Sequence, residues 1–335
     1  MLACQHAKYH KEPMPKKEDR QQPSLVHVGT VLRQQDFTFQ EPSAVKARLI
    51  EGALDIRSNP PDEISYQHSV LCQTGLPYRH TEERRWEKRN GRVMLEVEAG
   101  RAYHPDKEEF FDLPLPFGPK ARLILIHLNS EAIRTQSKVI EVEDSLTAFV
   151  RHLQSGREPN GLEIRKFKDQ LSALSAASIR MATAVEGRAF QVNTNIVHKF
   201  DLWFPKNHNQ RVLWPSTVEL GGDYFDTLVH HAVPLDQRAV CALSHSAMGL
   251  DVYQWLAQRL CRIYPKSDAL VTWVNLQQQF GVDYKRIRKF REVFLSALQD
   301  VLTQYPSAAV VPTGEGLILK NSPPPIRRSK LITGV

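Results

Sequence analysis

Two six-residue strings constrain this chain more than any other feature. Ile164-Arg165-Lys166-Phe167-Lys168-Asp169 and Ile287-Arg288-Lys289-Phe290-Arg291-Glu292 agree at four positions and keep charge at the other two. They stand about 123 residues apart, and each opens an apolar stripe at helical spacing. In the first copy the stripe is Ile164, Phe167, Leu171 and Leu174; in the second it is Ile287, Phe290, Phe294, Leu298, Val301 and Tyr305. A chain of 335 residues has room for two modules of this kind, each with a core.

The surroundings of the two strings follow one order. Before the first lie an apolar helix from Pro119 to about Thr135, a strand over Lys138 to Val142, and a helix that Asp144 or Ser145 caps. A turn over Ser155 to Gly161 leads into the stripe. Then Ile179 to Val185 and Phe190 to Ile196 alternate on either side of Glu186-Gly187, a hairpin. The second copy repeats this with a helix over Val252 to Ile263, a strand over Ala269 to Val274, and a short helix from Asn275 to Phe280 closed by Gly281. Asp283 is the expected cap of its third helix, and Ala309 to Val311 with Leu317 to Leu319 the expected hairpin.

Helix, strand, helix, helix, hairpin is the order of a winged helix-turn-helix. The fold class expected is therefore α+β, with two tandem winged helix-turn-helix domains and a flexible N-terminal arm. Residues 1–60, rich in Lys, Gln, Pro and Glu and with one short helix near Ala44 to Leu54, read as a disordered basic arm. Residues 61–204 are expected to form the N-terminal domain, which also takes in a hairpin of Arg84 to Arg89 and Val93 to Glu98 about Asn90-Gly91. Residues 205–322 are the C-terminal domain and 323–335 a basic tail. Trp203, Pro205, Trp214, Pro215 and a helix over Gly222 to His231 read as a packed connection between the domains.

Lys and Arg number 44 against 37 Asp and Glu, a net charge of +7 that favours polyanionic partners. Where the cations sit matters more. With the apolar stripes inward, Lys285, Arg288 and Lys289 turn outward and Arg286 and Arg291 lie on the flanks; Arg165 and Lys166 turn outward in the first copy, with Lys168 on the flank. Basic faces near helix N-termini suit a major-groove reader, because Arg and Lys reach guanine O6 and N7 and the helix dipole attracts phosphate. Arg180, Arg188 and Lys320 on the hairpins are expected to add phosphate or minor-groove contacts.

Other classes find little support. The chain holds no nucleotide-binding P-loop, zincin or nucleophile-elbow motif, so no catalytic residue, metal or cofactor is expected. His230 and His231 diverge by about 100° on a helix and so share no ligand readily. Cys4, Cys72, Cys241 and Cys261 form no C-x-x-C pair and read as reduced thiols, the last two as buried apolar residues. The lack of a long apolar run argues against a membrane span, and the cytoplasm is the expected compartment.

Several strings resemble the RepA-type plasmid replication initiators of Gram-negative bacteria, a group similar in plan to the TrfA initiators. They are Leu76-Pro77-Tyr78-Arg79, Leu115-Pro116-Phe117-Gly118-Pro119-Lys120, Val142 to Val150, Leu171 to Ala176, Phe200-Asp201-Leu202-Trp203-Phe204-Pro205 and Ile287-Arg288-Lys289-Phe290, spread over residues 70 to 328. The resemblance implies a non-enzymatic initiator that binds repeated sequences (iterons) in double-stranded plasmid origin DNA, promotes origin opening, and recruits host DnaA and the DnaB-type helicase. It further implies that Lys285, Arg286, Arg288 and Lys289 are the main readers and Arg165, Lys166 and Lys168 auxiliary ones. A homodimer is among the partners it implies, with the apolar surfaces of residues 84 to 98 as its seat. The alternative is a winged-helix transcription regulator with no replication role, since one fold serves both.

Overall fold

The computed structural model describes residues 42–104, 107–153, 158–185, 188–200 and 217–326. The segment 1–41, the Glu186-Gly187 turn, the Trp203 to Pro215 connection with the 204/205 boundary, and the tail beyond Ile326 lie outside the described residues. Every strand pairing described is antiparallel and helices are interspersed among the sheets, so the chain is α+β.

The first element corrects the expected arm. Residues 44–58 form a helix, α1 (Ala44–Ser58), with Ser43 accepting from the Lys46 N–H at its start. Leu49 and Ala53, one turn apart, are buried, and Gln304 Nε2 donates to the Leu49 carbonyl at 2.8 Å. The short helix was expected, but a polar composition concealed its docking: two apolar positions at i and i+4 are enough to seat a helix on a larger core.

The chain continues through β1 (Ile64–His68), α2 (Ser69–Gln73), the hairpin β2 (Arg85–Asn90) and β3 (Val93–Glu98), and a second hairpin, β4 (Arg101–His104) and β5 (Glu109–Asp112). Gly91 holds a φ of +57° in the first turn, the left-handed conformation that an Asn-Gly pair supplies. Val93, Leu95 and Val97 are buried, the last two in the chain's own core, which corrects their expected place in a dimer surface. Strict alternation identified an apolar face without saying which neighbour covers it.

Next come α3 (Gly118–Thr135), β6 (Val139–Glu141), α4 (Val142–Leu153), α5 (Gly161–Ala176), β7 (Ser178–Val185), β8 (Arg188–Asn195), β9 (Val197–Phe200) and β10 (Thr217–Leu220). The β2–β3 hairpin extends the β7–β8 hairpin into a four-stranded sheet, β2-β3-β7-β8, while β6 pairs with β10 rather than with that hairpin, and β10 with β9. Then follow α6 (Gly222–His231), β11 (Ala232–Asp236, paired with β1), α7 (Gln237–Ala242), α8 (Ala247–Arg259), β12 (Ala269–Thr272), α9 (Trp273–Phe280), α10 (Ile287–Gln304), β13 (Val310–Pro312) and β14 (Gly316–Leu319). The last three strands form one sheet, β12-β14-β13.

Two helices lie at the centre. Every residue of α3 from Ala121 to Asn129 and of α8 from Met248 to Gln258 is buried. Their crossing holds a fully desolvated ion pair: Arg122 Nε and an Arg122 terminal nitrogen donate to the two Asp251 oxygens at 2.6 and 2.8 Å. The remaining guanidinium protons go to the carbonyls of Gly118, Pro77 and Leu76 at 2.9, 3.2 and 2.7 Å, and Tyr78 stacks on the guanidinium at 4.9 Å. Gly75 is required beside it, since a Cβ there would lie 2.8 Å from Asp251 Oδ2. Removing either charge strands the other in the core at a cost of about 3–5 kcal/mol. In urea unfolding, Arg122→Met and Asp251→Leu each lose about that much, and the double variant recovers most of it; additive losses would show that the pair is not coupled.

His127 and His68 are buried in neutral form. His127 stacks on Phe149 at 4.8 Å and shares a 3.2 Å hydrogen bond with Ser145 Oγ; His68 Nδ1 accepts from the Val70 N–H at 3.2 Å. Desolvation lowers both to about 4. The unfolded chain takes up protons near pH 6.5 that the folded chain refuses until about pH 4, so stability is full above 6.5 and declines through that window. By pH 5 the loss is about 2 kcal/mol per histidine. His127→Gln should remove about half of the drop in unfolding free energy between pH 7 and pH 5, and an unchanged drop would exclude a buried neutral His127.

Candidate nucleic-acid interface

The second string sits at the head of α10, behind a tightly built turn. Thr272 ends β12 and caps α9 by accepting from the Asn275 N–H at 3.3 Å, so the helix begins at Trp273 and absorbs the last residues of the expected strand. Gly281 closes α9 against α10. A Cβ there would meet the Phe290 ring at 2.4 Å, so only glycine lets the turn lie on that ring. Gln277 Nε2 ties the turn by donating to the Tyr284 carbonyl at 2.8 Å. Beneath it, Phe280, Phe290 and Phe294 pack with centroid spacings of 5.5 and 5.4 Å, and Trp255 meets Phe280 edge-on at 5.3 Å.

Trp273 links this turn to the hairpin that follows. Its backbone N–H donates to the Glu315 carbonyl at 3.0 Å and its indole Nε1–H to the Thr313 carbonyl at 3.1 Å. Arg291 lays its guanidinium over the indole at 4.7 Å. A residue expected on the binding flank is thus half-buried against a tryptophan whose expected place was in the strand. The signal available was Thr272, a residue type that caps helices, immediately before the Trp.

At the surface of this turn, Lys285, Arg286, Arg288 and Lys289 are all exposed. Lys289 pairs with Glu292 at 2.9 Å, both ends exposed, a contact worth little. Lys285, Arg286 and Arg288 have no side-chain partner among the described residues. The expected Asp283 cap is absent: α10 begins at Ile287, with Arg286 in the cap position, no side chain bonding its first turn and no acid within it. Its free N–H groups and its dipole therefore face solvent beside three unpaired cations, an arrangement suited to anions.

Ile287 departs from the expected inward stripe. It is 40% exposed, whereas Phe290, Phe294 and Leu298 are buried. Helical side chains lean toward the N-terminus, so a first-turn residue projects past the end of the core even when its angular position is inward.

The first string is built differently. Asn160 caps α5 by accepting from the Glu163 N–H at 2.9 Å, and Glu163 pairs with Lys120 at 2.9 Å. Arg165 and Lys166 are exposed, Lys168 is half-buried, and Ile164 packs against the core. An acid and a satisfied cap replace the open helix end of the second copy.

On the hairpins, Arg180 lies directly across from Glu96 on β3 and bonds to it, and also reaches Glu98 at 3.2 Å. Arg188 starts β8 opposite Val185. Lys320 lies 3.6 Å from Asp268. Cys261, expected to be buried, is exposed. No group of three or more metal-binding side chains occurs among the described residues, and none of their helices is long and apolar enough to cross a membrane.

Residues 115–275 match the family model described as plasmid encoded RepA protein, the family that the sequence strings resemble. Among solved structures, the chain is similar to a selenomethionine crystal structure of domains 2 and 3 of RctB, at 7% identity, covering 76% of this chain and 98% of that one with a TM-score of 0.46. A second crystal structure of RctB domains 2-3 matches at 8% identity, 75% and 94% coverage and a TM-score of 0.43. No curated protein matches the chain.

The α9–α10 turn yields a direct check. Gly281→Ala must push the turn off Phe290, at about 1–3 kcal/mol of overpacking. Thermal unfolding should register that loss, while Gly314→Ala, whose added Cβ meets nothing within 4 Å, should cost far less. Equal effects would show that the close approach does not hold the turn.

Proposed function

From the match of residues 115–275 to the plasmid-encoded RepA family, we propose that this chain is a plasmid replication initiator that binds repeated double-stranded sequences (iterons) at its origin. The observation that carries the reading is the head of α10: three unpaired cations around an uncapped, acid-free helix end. In this reading the segments from α3 to β8 and from α8 to β14 are two winged-helix modules. The second is the principal reader through Lys285, Arg286, Arg288 and Lys289. The first, whose helix end is capped and carries Glu163, contributes auxiliary contacts through Arg165 and Lys166. Arg291 positions the helix by stacking on Trp273, and Arg180 braces the four-stranded sheet.

Binding energy comes largely from phosphate neutralisation, with base contacts supplying discrimination of about 1–3 kcal/mol per good bidentate pair. No catalytic group or cofactor takes part. Bending of tandem sites strains the adjacent duplex, and flexible AT-rich steps open at least cost. Opening, the recruitment of host DnaA and DnaB-type helicase, a homodimeric form and a cytoplasmic location complete the proposal.

The test is fluorescence anisotropy on duplex from the repeats beside the protein's own gene, against scrambled duplex, at several salt concentrations. Arg288→Ala with Lys289→Ala should abolish the preference for the repeat and lower the salt slope by about two. Arg165→Ala with Lys166→Ala should weaken binding with the preference retained. Equal weak binding to both duplexes by the unaltered protein would overturn the reading. If the preference holds but the gene with its repeats cannot sustain a plasmid that lacks another origin, the chain is a transcription regulator instead.

A further inference from the structure

The turn between α9 and α10 exposes two β-branched residues among its charges. Ile287 is 40% exposed and Val282 is 59% exposed, five residues apart and on either side of Asp283, Lys285 and Arg286. An apolar side chain here gives the fold little, since the neighbouring core is filled by Phe290 and Tyr284. Its surroundings specify what covers it. An apolar protein surface seated on the turn would desolvate Lys285, Arg286 and Arg288 without supplying anions. Major-groove DNA offers both at once: phosphates at the rims and, on the floor, the thymine C5-methyl group, the one apolar group that a base presents there. Asp283, also exposed, repels phosphate from the turn itself and so favours its approach to base edges rather than to backbone.

We infer that Val282 and Ile287 contact thymine methyl groups in the bound site and thereby set a preference for thymine beside the bases that the flanking cations meet. The inference rests on the DNA-binding reading above and adds the residues that read thymine. The first module lacks the same device. Its Ile164 packs against the core, and the exposed Leu162 adjoins a capped turn that carries Glu163.

The experiment uses the full-length protein and a duplex selected by it from a random-sequence pool. Each thymidine is replaced in turn by deoxyuridine, which removes the methyl group alone. At one or two positions the unaltered protein should bind about fourfold more weakly, the worth of one buried methyl group. Ile287→Ala and Val282→Ala should each become indifferent to deoxyuridine at one of those positions, while Leu162→Ala keeps the full effect. The inference is overturned if no replacement weakens binding by the unaltered protein, or if both variants keep the full effect. The deoxyuridine scan on the unaltered protein needs no variant, so a folding defect in either does not remove the test. Failure of the selection to yield any preferred sequence would instead bring down the DNA-reading proposal itself.

Discussion

The Arg122–Asp251 pair is the contact on which the centre of the fold depends. It joins α3 to α8, where both are buried on every side. A guanidinium in that position is tolerable only because all its donors are used, three of them by carbonyls from Leu76, Pro77 and Gly118. The pair therefore fixes the loop after α2 as well as the two helices. From Ser43 onward the described residues form one compact unit with a single contiguous core.

On that shared core, two nearly identical strings acquire different electrostatic surroundings. α5 starts with a capping Asn160 and a Glu163 engaged with Lys120, so its N-terminal charge is already answered. α10 starts with neither, and among the described residues the carboxylate that pairs with its cations is Glu292 alone. Sequence identity at four positions thus coexists with a difference in available charge. That difference lies in the residues just before each string and in what the rest of the chain brings beside it.

Rigidity behind the second string comes from aromatic packing and close backbone approach. Gly281 lies against Phe290, Gly316 lies where a Cβ would meet the Val271 carbonyl at 2.0 Å, and Trp273 bonds to the turn of the last hairpin. Turn, helix and hairpin are held as one piece, which is what presenting several side chains to one groove requires.

Much of this was legible in the sequence, because local periodicity states which face of an element is apolar. The third helices, the hairpins about Asn90-Gly91 and Pro312 to Gly316, and the helix over Gly222 to His231 all follow from spacing, caps and turn residues. So did the basic character of both helix heads. Tertiary structure alone decided what each face meets. It placed Ile287 beyond the end of the core, set Arg291 on Trp273, and engaged Arg180 with glutamates far away in the chain. It also covered the apolar face of β3, joined β6 to β10, and docked the helix over residues 44–58 onto the core. Spacing determines the direction of a side chain about its own axis; its partner and its burial depend on elements distant in sequence, and these are the quantities that separate a free cation from a paired one.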